Sequence, residues 1–494
     1  MAIPEDVTPQ SPVEEQPVIG LIGMGAMGMM YAKQLADAGW KKIYVCDLPS
    51  KYDALKEKYK GVTLPDTIPI WPLWLTFRLL DVPTITVLRD GHLVSRAADF
   101  IMYSVEAEFV DNVVAQYGPS TKLGAIVSGQ TSVKAPEKAS FEKWLPSDVS
   151  IVSCHSLHGP TVSPVGQPLV LIKHRASDRD LRLVESILRH LKSRYVYLSY
   201  EEHDEVTANT QAVTHAAFLS MGTAWACSQQ YPWEHGKYVG GIETVKVNIM
   251  LRIYSNQWHV YAGLAILNPA ARVQIDQYAR STLEIFKLML NLDEEGLQKR
   301  IYAARDKVFG PAQMCRPMLL SEDILDQFSL GRQSPPNNPS SPVNSAPASP
   351  TSGQFGAING KVNGNHTPRH DTNSHLSLLA MVDCWAQLNI QPFVHLDLAA
   401  TPLFRMWIGV AEILFRSQSR LDGAIHSAIH DQSHRSDDLE FVIAAGGWSR
   451  CVSYGSFGLY QQRFSETASF FESRFEEATK VGTAMIKTIM ERSL

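Results

Sequence analysis

The chain has 494 residues, which is too long for a single hydrophobic core, and domains of roughly 100–200 residues predict two or three of them. Its composition, 45% apolar and 19% charged, is ordinary for a soluble enzyme. The 45 basic and 50 acidic residues leave a net charge of -5, which excludes a general attraction to nucleic acid or to an anionic membrane.

The six cysteines are scattered without a C-x-x-C pair, which argues against a zinc ribbon, a redox dithiol or a disulfide framework. Residues 1–16 are acidic and rich in proline, unlike a signal peptide, and we predict a disordered leader. The most apolar run, residues 68–80, is shorter than the about 20 residues that cross a bilayer. We therefore expect a cytoplasmic protein that binds neither membrane nor nucleic acid.

A short apolar run at residues 18–22 is followed by G-M-G-A-M-G and by a helix-forming segment at residues 29–38. This order predicts a dinucleotide-binding unit, because glycines permit a tight turn and let a pyrophosphate approach the helix N-terminus. A second predicted strand, residues 43–46, ends at an acid of the kind that holds an adenosine ribose. A purely structural glycine turn is the alternative. The cofactor residues predicted here are Gly23, Gly25, Ala26, Met27, Gly28, Asp47, Ser50 and Lys51.

These residues leave the choice between NAD and NADP open. Asp47 favours NAD, because a carboxylate repels the 2′-phosphate of NADP. Ser50 and Lys51 follow closely and could receive that phosphate.

Further apolar runs predict the remaining strands of a doubly wound α/β sheet of the Rossmann type, which would complete a dinucleotide-binding domain at residues 17–200. Because parallel strands bind ligands at their carboxyl ends, Ser104, Val105, Ser128 and Gly129 are predicted to border the cofactor. Residues 64–86 interrupt this pattern with several prolines and a tryptophan-rich cluster. We interpret them as a surface insertion, with a lid or a partner-binding patch as the alternative.

Beyond residue 200 helical periodicity predominates, with predicted helices at residues 206–227, 243–267, 271–291 and 296–309. Residues 332–373 are rich in proline, serine, asparagine and glycine and are predicted to be a disordered loop. Helical periodicity then returns and continues to the C-terminus. Residues 201–331 and 374–494 are therefore predicted to form one all-α domain.

The predicted strand at residues 151–154 leads into two histidines, His155 and His158. A histidine at a strand end beside a cofactor can act as a general base, and we predict that His155 is catalytic. For His158 we prefer a structural role. His203 and Asp204, at the start of the helical region, are interpreted as fixing the corner between the two domains.

Other polar residues could hold a substrate that lies between the domains. Ser132 and Lys134 could bind a carboxylate or a hydroxyl, and a capping serine with a solvent-facing lysine is the alternative. Gln211 and His215, four residues apart, share one face of a helix and are also predicted to bind substrate.

Two basic residues, Lys246 and Arg252, are the remaining candidates for substrate binding. Arg252 falls within an apolar pattern and needs an anionic partner, which is either a substrate carboxylate or an internal acid. His426 and His430 have the spacing of metal ligands, but the sequence suggests no third ligand, so we expect no metal.

Segments from nearly the whole chain together resemble fungal-type prephenate dehydrogenase. The resemblance implies a Rossmann domain followed by an all-helical dimerisation domain, and a homodimer. It implies the oxidative decarboxylation of prephenate to 4-hydroxyphenylpyruvate and carbon dioxide in tyrosine biosynthesis, with NADP as the cofactor. The segments that carry it are V-I-G-L-I-G-M-G-A-M-G, D-G-H-L-V-S-R, Y-S-V-E-A, G-Q-T-S-V-K, C-H-S-L-H-G-P, E-E-H-D, T-Q-A-V-T-H-A-A-F-L-S-M-G, L-R-I-Y-S-N-Q-W-H-V-Y-A-G-L-A-I-L-N-P and T-P-L-F-R.

By this resemblance His155 matches the family histidine that accepts a hydrogen bond from the substrate's 4-hydroxyl while hydride leaves the same carbon. Ser132 and Lys134 match positions beside the substrate, and His215 matches a second histidine of the pocket.

Gly263 stands where bacterial relatives carry a substrate-binding arginine, so either Arg252 or Lys246 supplies that charge here. Arogenate is an alternative substrate, and a β-hydroxyacid dehydrogenase is the alternative enzyme, since its glycine turn is similar and Lys246 could imitate its catalytic lysine. A non-catalytic regulator that senses NADP is the alternative outside enzymes.

Overall fold

The structure, a computed structural model, describes residues 3–59, 85–160, 162–234, 241–320, 373–399 and 401–491. The predicted insertion at residues 64–86 and the predicted loop at residues 332–373 lie outside the described residues, apart from residues 85, 86 and 373. Within the described ranges, no helix is both long enough and apolar enough to cross a membrane.

The first part of the chain forms an eight-stranded sheet in the order β3-β2-β1-β4-β5-β6-β7-β8. Neighbouring strands are parallel except β6 and β7, which are antiparallel. This confirms the predicted Rossmann-type fold. The strands are β1 Ile19–Ile22, β2 Ile43–Cys46, β3 Ile85–Val87, β4 Phe100–Tyr103, β5 Ile126–Gly129, β6 Ser150–Ser156, β7 Pro168–Lys173 and β8 Arg194–Tyr197.

The central strands β1, β4 and β5 are buried along their whole length, which explains why β1 and β4 are apolar throughout rather than alternating. Separate apolar clusters fill the two faces of the sheet, one around Tyr31 and Trp40 and the other around Tyr103 and Phe141. The helices of this part are α1 Ala26–Ala38, α2 Tyr52–Lys58, α3 Gly91–Ala97, α4 Val110–Tyr117, α5 Ala135–Trp144 and α6 Asp178–Leu188.

Strand β3 corrects the predicted end of the insertion. Ile85 and Val87 pair with Ile43 and Val45 of β2, so the last two residues assigned to the insertion belong to the sheet. The alternating Ile-Thr-Val pattern suits a strand at the edge of a sheet.

Residues 3–16 also differ from the prediction, because they form turns that pack on the cofactor domain. Val7 is 1% exposed and joins the apolar cluster that contains Trp40. The side chain of Gln16 is buried, donates to the carbonyl of Pro9 at 3.0 Å and accepts from the amide N–H of Lys41 at 3.0 Å. The burial of these side chains offsets the conformational entropy that the segment loses when it is ordered.

The second part is helical and contains no strand within the described residues. Helices before residue 321 and after residue 372 contribute to one apolar cluster. The helices are α7 Tyr200–Thr207, α8 Val213–Cys227, α9 Gly241–Tyr254, α10 Trp258–Leu267, α11 Pro269–Leu290, α12 Glu294–Val308, α13 Pro311–Met314, α14 Leu376–Gln387, α15 Pro392–Ala399, α16 Pro402–Phe415, α17 Gln418–His430, α18 Arg435–Tyr454, α19 Phe457–Phe471 and α20 Phe475–Glu491.

Two helical predictions need correction. The helix predicted at residues 243–267 is divided into α9 and α10, because Ser255 and Asn256 donate side-chain hydrogen bonds to the carbonyl of Arg252 and end the first helix there. The helix predicted from residue 206 begins at Tyr200, and a π-helical turn, Ala208–Ala212, joins α7 to α8. Such turns are frequent at functional sites.

Candidate active site

The turn between β1 and α1 has the shape that a dinucleotide pyrophosphate requires. Gly23 has φ +100°, and a Cβ there would lie 2.3 Å from the carbonyl oxygen of Ser104. A Cβ on Gly28 would lie 2.1 Å from the carbonyl oxygen of Gly23, whereas one on Gly25 would enter open space. Gly25 immediately precedes α1, so this space lies before free helix N–H groups that can bind an anion. Ala26 and Met27, which are predicted cofactor residues, form the first turn of α1, so this helix begins before the predicted segment 29–38.

Asp47, directly after β2, stabilises this turn through hydrogen bonds. Its Oδ2 accepts a hydrogen bond from the N–H of Met24 at 3.0 Å, and its Oδ1 accepts one from Leu48 at 2.7 Å. The exposed ammonium of Lys51 lies 3.3 Å from Oδ2. Asp47 is therefore partly neutralised, and its repulsion of a 2′-phosphate is reduced.

A further basic residue, Arg89, was not predicted from the sequence. It follows β3, the neighbour of β2, and its guanidinium lies 5.6 Å from the centre of the Tyr52 ring, one residue after Lys51. Ser50 and Lys51 are exposed on the same edge. Arg89 could have been predicted if β3 had been recognised as the strand beside β2. The predicted insertion at residues 64–86 included the start of β3, so that strand was missed.

Ser104 and Val105, predicted cofactor residues at the end of β4, lie against the glycine turn. The Ser104 carbonyl and a Val105 methyl group are the nearest atoms to a Cβ built on Gly23. The side-chain amide of Gln130, which follows β5 and was not predicted, donates to Oγ of Ser104 at 2.7 Å. The ends of β4 and β5 thus border the space in front of α1.

Ser128 and Gly129 lie inside the sheet rather than on this border, which corrects the prediction for both. Ser128 is 0% exposed and its hydroxyl donates to Sγ of Cys154 at 3.4 Å. A Cβ on Gly129 would lie 2.2 Å from the carboxylate of Glu137, so this glycine makes room for a buried acid.

His155 lies near the end of β6, beside the first helix of the second part. It is 7% exposed, and its Nδ1 is 2.8 Å from Nε2 of His203 in α7. Burial lowers the pKa of His155 well below its ordinary value, and the nearby His203, Lys134 and His158 act in the same direction. The imidazole is therefore neutral at physiological pH, as a general base must be.

His203 and Asp204 continue this contact. Nδ1 of His203 lies 2.9 Å from Oδ1 of Asp204. The two carboxylate oxygens of Asp204 accept the backbone N–H groups of Lys134 and Ala135 at 2.7 and 2.8 Å. The pair therefore joins the domains, in agreement with the interpretation from sequence, and it also contacts His155, which that interpretation missed.

Lys134 is a structural residue in this arrangement, which corrects its predicted role in substrate binding. It is 0% exposed, and its Nζ contacts the carboxylate of Glu137 and the carbonyls of Gly129 and Cys154 at 2.9 to 3.1 Å. These partners occupy its three N–H donors. Ser132, two residues earlier, is only half-buried and remains available to a ligand.

Gln211 and His215 lie on the helical run that continues from His203, and Arg252 lies on the separate helix α9. Gln211 is in the π-helical turn, and His215 in α8 packs edge-on against the ring of Tyr261, with 4.8 Å between ring centres. Burial lowers the pKa of His215 to about 3, and its Nδ1 is enclosed without a hydrogen-bond partner among the described residues.

The half-buried Arg252 has no ion pair among the described residues. Burial lowers the pKa of Arg252, and the nearby hydroxyl of Tyr261 acts in the opposite direction. Gly263, two residues after Tyr261 in α10, faces Ala107 in the loop after β4, with 3.6 Å to a Cβ built on the glycine. Helix α10 therefore contacts the cofactor domain at this loop.

Lys246 lies in a different place, which corrects the prediction that it binds substrate beside His155. It is 3% exposed and pairs with Glu243 at 2.8 Å, and Glu243 also contacts His375 at 3.2 Å. The small cavity beside Lys246 is lined by residues of the helical part such as Trp225 and Asp438, and His155 is not among them.

His158 and the histidine pair of α17 have local partners. Nδ1 of His158 contacts the carbonyl of Gly159 at 3.0 Å, which fits its predicted structural role. His426 and His430 lie near Glu294, a third potential ligand from α12 that the sequence did not suggest. The Glu294 carboxylate already contacts Nε2 of His430 at 2.9 Å, so these groups have partners without an ion. The expectation of no metal stays a prediction.

A cavity of about 700 Å³ lies against Asp204 rather than His155. Its wall also includes Lys138, Glu201, Glu205 and His395, but no residue of the glycine turn. The cavity contains no part of the glycine turn, and its lysine, Lys138, already pairs with Glu201 at 2.8 Å, so the catalytic role of His155 stays the prediction.

Comparison with known proteins identifies the family. A family model that describes a 6-phosphogluconate dehydrogenase C-terminal domain matches residues 212–491. The Schizosaccharomyces pombe protein named probable prephenate dehydrogenase [NADP(+)] is 46% identical over 477 residues, which are 96% of this chain and 97% of that protein. The Saccharomyces cerevisiae prephenate dehydrogenase [NADP(+)] is 47% identical over 480 residues, 96% of this chain and 94% of that protein. The chain belongs to the prephenate dehydrogenase family.

This membership confirms the resemblance recognised from the sequence motifs. Among solved structures, the prephenate dehydrogenase of Aquifex aeolicus is 17% identical with a TM-score of 0.44, and the match covers 57% of this chain and 96% of that one.

Proposed function

We propose that this chain catalyses the oxidative decarboxylation of prephenate to 4-hydroxyphenylpyruvate and carbon dioxide in tyrosine biosynthesis, with NADP as the hydride acceptor. One observation carries the proposal: two fungal proteins named as NADP-dependent prephenate dehydrogenases are 46% and 47% identical to the chain over nearly its full length. The glycine turn fits the cofactor, since its open side at Gly25 leaves room for a pyrophosphate.

His155 is the proposed base. When bound, NADP accepts the hydride from the ring carbon that carries the hydroxyl group. The neutral imidazole of His155 takes the hydroxyl proton as this hydride leaves, so that a ring carbonyl forms. Loss of the ring carboxylate as carbon dioxide returns its bonding electrons to the ring, and the ring oxygen then recovers the proton from His155. Burial disfavours the imidazolium ion and so promotes that return.

Arg252 is the proposed partner of a substrate carboxylate. Its guanidinium is half-buried and has no acid partner among the described residues, a state that a bound anion would stabilise. Gln211, His215 and Ser132 are proposed to complete the substrate pocket between the two domains.

The preference for NADP is supported by charge at the ends of β2 and β3. Lys51 neutralises part of the Asp47 carboxylate, and Arg89 places a second positive charge beside Tyr52. Two cations next to the ribose position favour a cofactor that carries an additional phosphate.

We also propose a homodimer through the helical part and a cytoplasmic location. Several large apolar side chains of α11 and α18 are exposed in the single chain, among them Val273, Leu290, Leu439 and Ile443. All six cysteines are unpaired, as is usual in a reducing compartment. Sedimentation velocity would test the dimer, and a monomer at micromolar concentration would refute it.

The decisive experiment is turnover of prephenate by the purified chain with NADP, followed by NADPH absorbance and by the release of carbon dioxide. We expect His155→Asn to lower kcat by about 10²–10⁴-fold with cofactor affinity unchanged, since it removes the base. His158→Asn is the matched control and should retain most activity. Turnover of arogenate or a hydroxyacid instead of prephenate would contradict the substrate assignment, and cofactor binding without any turnover would indicate a regulator.

A further inference from the structure

Three buried side chains form a continuous row behind the proposed base. Nδ1 of His155 lies 2.8 Å from Nε2 of His203, and Nδ1 of His203 lies 2.9 Å from Oδ1 of Asp204. His155 belongs to the cofactor domain and the other two to α7. The row therefore crosses the boundary between the two parts of the protein.

Hydrogen bonds to residues other than the two histidines fix the orientation of Asp204. Its two carboxylate oxygens accept the backbone N–H groups of Lys134 and Ala135 at 2.7 and 2.8 Å, and its own carbonyl oxygen accepts a hydrogen bond from Asn268 at 2.8 Å. An ionised carboxylate can only accept hydrogen bonds. His203 must therefore carry a hydrogen on Nδ1 in order to bond to Asp204.

The same reasoning applies to the contact between His203 and His155. Burial lowers the pKa of His203 well below its ordinary value, and the charge of Lys134 acts in the same direction, so His203 is neutral. With its hydrogen on Nδ1, its Nε2 can only accept. The contact with His155 then requires a hydrogen on Nδ1 of His155, which is neutral as well.

The remaining nitrogen of His155 is left without a hydrogen. Nε2 of His155 has no hydrogen-bond partner among the described residues. It is not one of their fully buried unpaired atoms, and His155 keeps 7% of its surface exposed. We propose that His203 and Asp204 are positioning residues that hold His155 in the tautomer with Nδ1 protonated, so that Nε2 receives the proton of the substrate hydroxyl.

The inference rests on the proposed function, in which His155 is the base, but it makes a separate statement about the hydrogens of the protein itself. The charged and titratable groups that face the two imidazoles are Lys134 of the cofactor domain, His158 of the loop after β6, and Asp204. The charge of Lys134 is balanced by Glu137 at 2.9 Å. Burial raises the pKa of Asp204 to about 6, while the two backbone N–H groups and Lys134 lower it, so the carboxylate is ionised above that pH.

Asp204→Asn tests which atoms donate and which accept hydrogen bonds along the row. The amide NH₂ group would face His203 or one of the two backbone N–H groups, and a donor beside Nδ1 of His203 would move the hydrogen of that ring to Nε2. His155 would then be forced to carry its hydrogen on Nε2, the nitrogen needed as the base. We expect kcat to fall by about 10²–10⁴-fold, with the Kd of NADP unchanged, because a base in the wrong tautomer is inactive.

The matched control is Glu205→Gln, which changes an exposed acid of the same helix and should leave kcat within about twofold. His203 supplies a second pair of variants in case Asp204→Asn is unstable. In His203→Gln the side-chain carbonyl can still accept from Nδ1 of His155, so it should retain at least about tenfold more activity than His203→Leu.

Nitrogen-15 spectra of histidine-labelled protein give a readout that does not depend on turnover. In the wild-type chain, Nδ1 of His155 should have the shift of a protonated nitrogen and Nε2 that of an unprotonated one, with the signals assigned through His155→Asn. Asp204→Asn should reverse the two. Equal kcat and an unchanged His155 spectrum in both Asp204→Asn and His203→Leu would overturn the inference.

The outcome also separates this inference from the function itself. A wild-type chain with the expected spectrum that fails to oxidise prephenate would refute the proposed function and leave the assignment of the tautomer intact. A chain that oxidises prephenate with Nε2 of His155 protonated would refute the inference alone.

Discussion

The ammonium of Lys134 and the carboxylate of Glu137 lie 2.9 Å apart, and both side chains are fully excluded from solvent. Glu137 also accepts from the hydroxyl of Thr131 at 2.6 Å, so the pair is part of a hydrogen-bonded group below the ends of β5 and β6. Removal of one charge would leave the other buried and unpaired.

Lys134→Met should therefore lower the free energy of unfolding by about 3–5 kcal/mol, as expected for a broken buried ion pair. Urea denaturation followed by circular dichroism measures this change. Lys138→Met is the control, because Lys138 pairs with the exposed Glu201 and should contribute less than about 1 kcal/mol. A Lys134→Met protein of normal stability but with a raised KM for prephenate would restore the role in substrate binding predicted from sequence.

The basic residues near Asp47 lead to a prediction about cofactor choice. Lys51→Ala and Arg89→Ala should each raise the KM for NADP about tenfold or more, because a charged contact with a phosphate contributes roughly 1.5–3 kcal/mol. The KM for NAD, which lacks that phosphate, should change little. Lys33→Ala, on the exposed face of α1, is the control. Equal effects on both cofactors would place these side chains elsewhere than at the 2′-phosphate.

Arg252, which has no acid partner among the residues that the structure describes, predicts a selective effect on substrate binding. Arg252→Met should raise the KM for prephenate by about 10–100-fold, the loss expected for a charged hydrogen bond, and should leave the Kd of NADP unchanged. Arg252→Lys should recover only part of the loss, since lysine lacks the planar pair of donors.

Lys246→Met distinguishes the two basic residues that the sequence left as candidates. Because Lys246 is buried with Glu243, this variant should lose stability without a comparable rise in KM. The reverse result, a normal KM in Arg252→Met and a raised KM in Lys246→Met, would exchange their roles.

The lowered pKa of His215 predicts how stability depends on pH. Burial lowers its pKa in the folded chain from 6.5 to about 3, so the unfolded chain binds a proton first as the pH falls below 6.5. The free energy of unfolding should decrease from that pH downward, by about 2 kcal/mol from this residue at pH 5. His215→Gln should remove this part of the slope between pH 7 and pH 5 in urea titrations.

His426→Gln is the control for that measurement, since His426 is 68% exposed and its substitution should leave the slope nearly unchanged. Identical slopes for His215→Gln and the wild-type chain would mean that His215 is protonated in the folded protein.

The parts of the fold and site that could be predicted from sequence depend on local patterns. A few consecutive residues encode the glycine turn, and β1 and β4 are apolar runs because both of their faces are buried. His155 was recognised because it follows such a run directly. In each case neighbouring residues contain the physical cause of the structure.

The parts that could not be predicted depend on contacts between distant residues. His203 contacts His155 from 48 residues away, and no local pattern distinguishes it from a helix-capping histidine. Lys134 was predicted to bind substrate, because no local pattern shows that Glu137 and two carbonyls at the ends of separate strands bury it. Arg89 required knowledge that β3 pairs with β2.

The helices before and after residues 321–372 are joined by direct side-chain hydrogen bonds. Arg300 of α12 forms two hydrogen bonds with Asp383 of α14 at 2.9 and 2.8 Å, and Tyr302 donates to Asp422 of α17 at 2.5 Å. A single protease cut within residues 321–372 should therefore yield two fragments that elute together and separate only in denaturant. Co-expression of the two fragments from separate genes should reconstitute the enzyme.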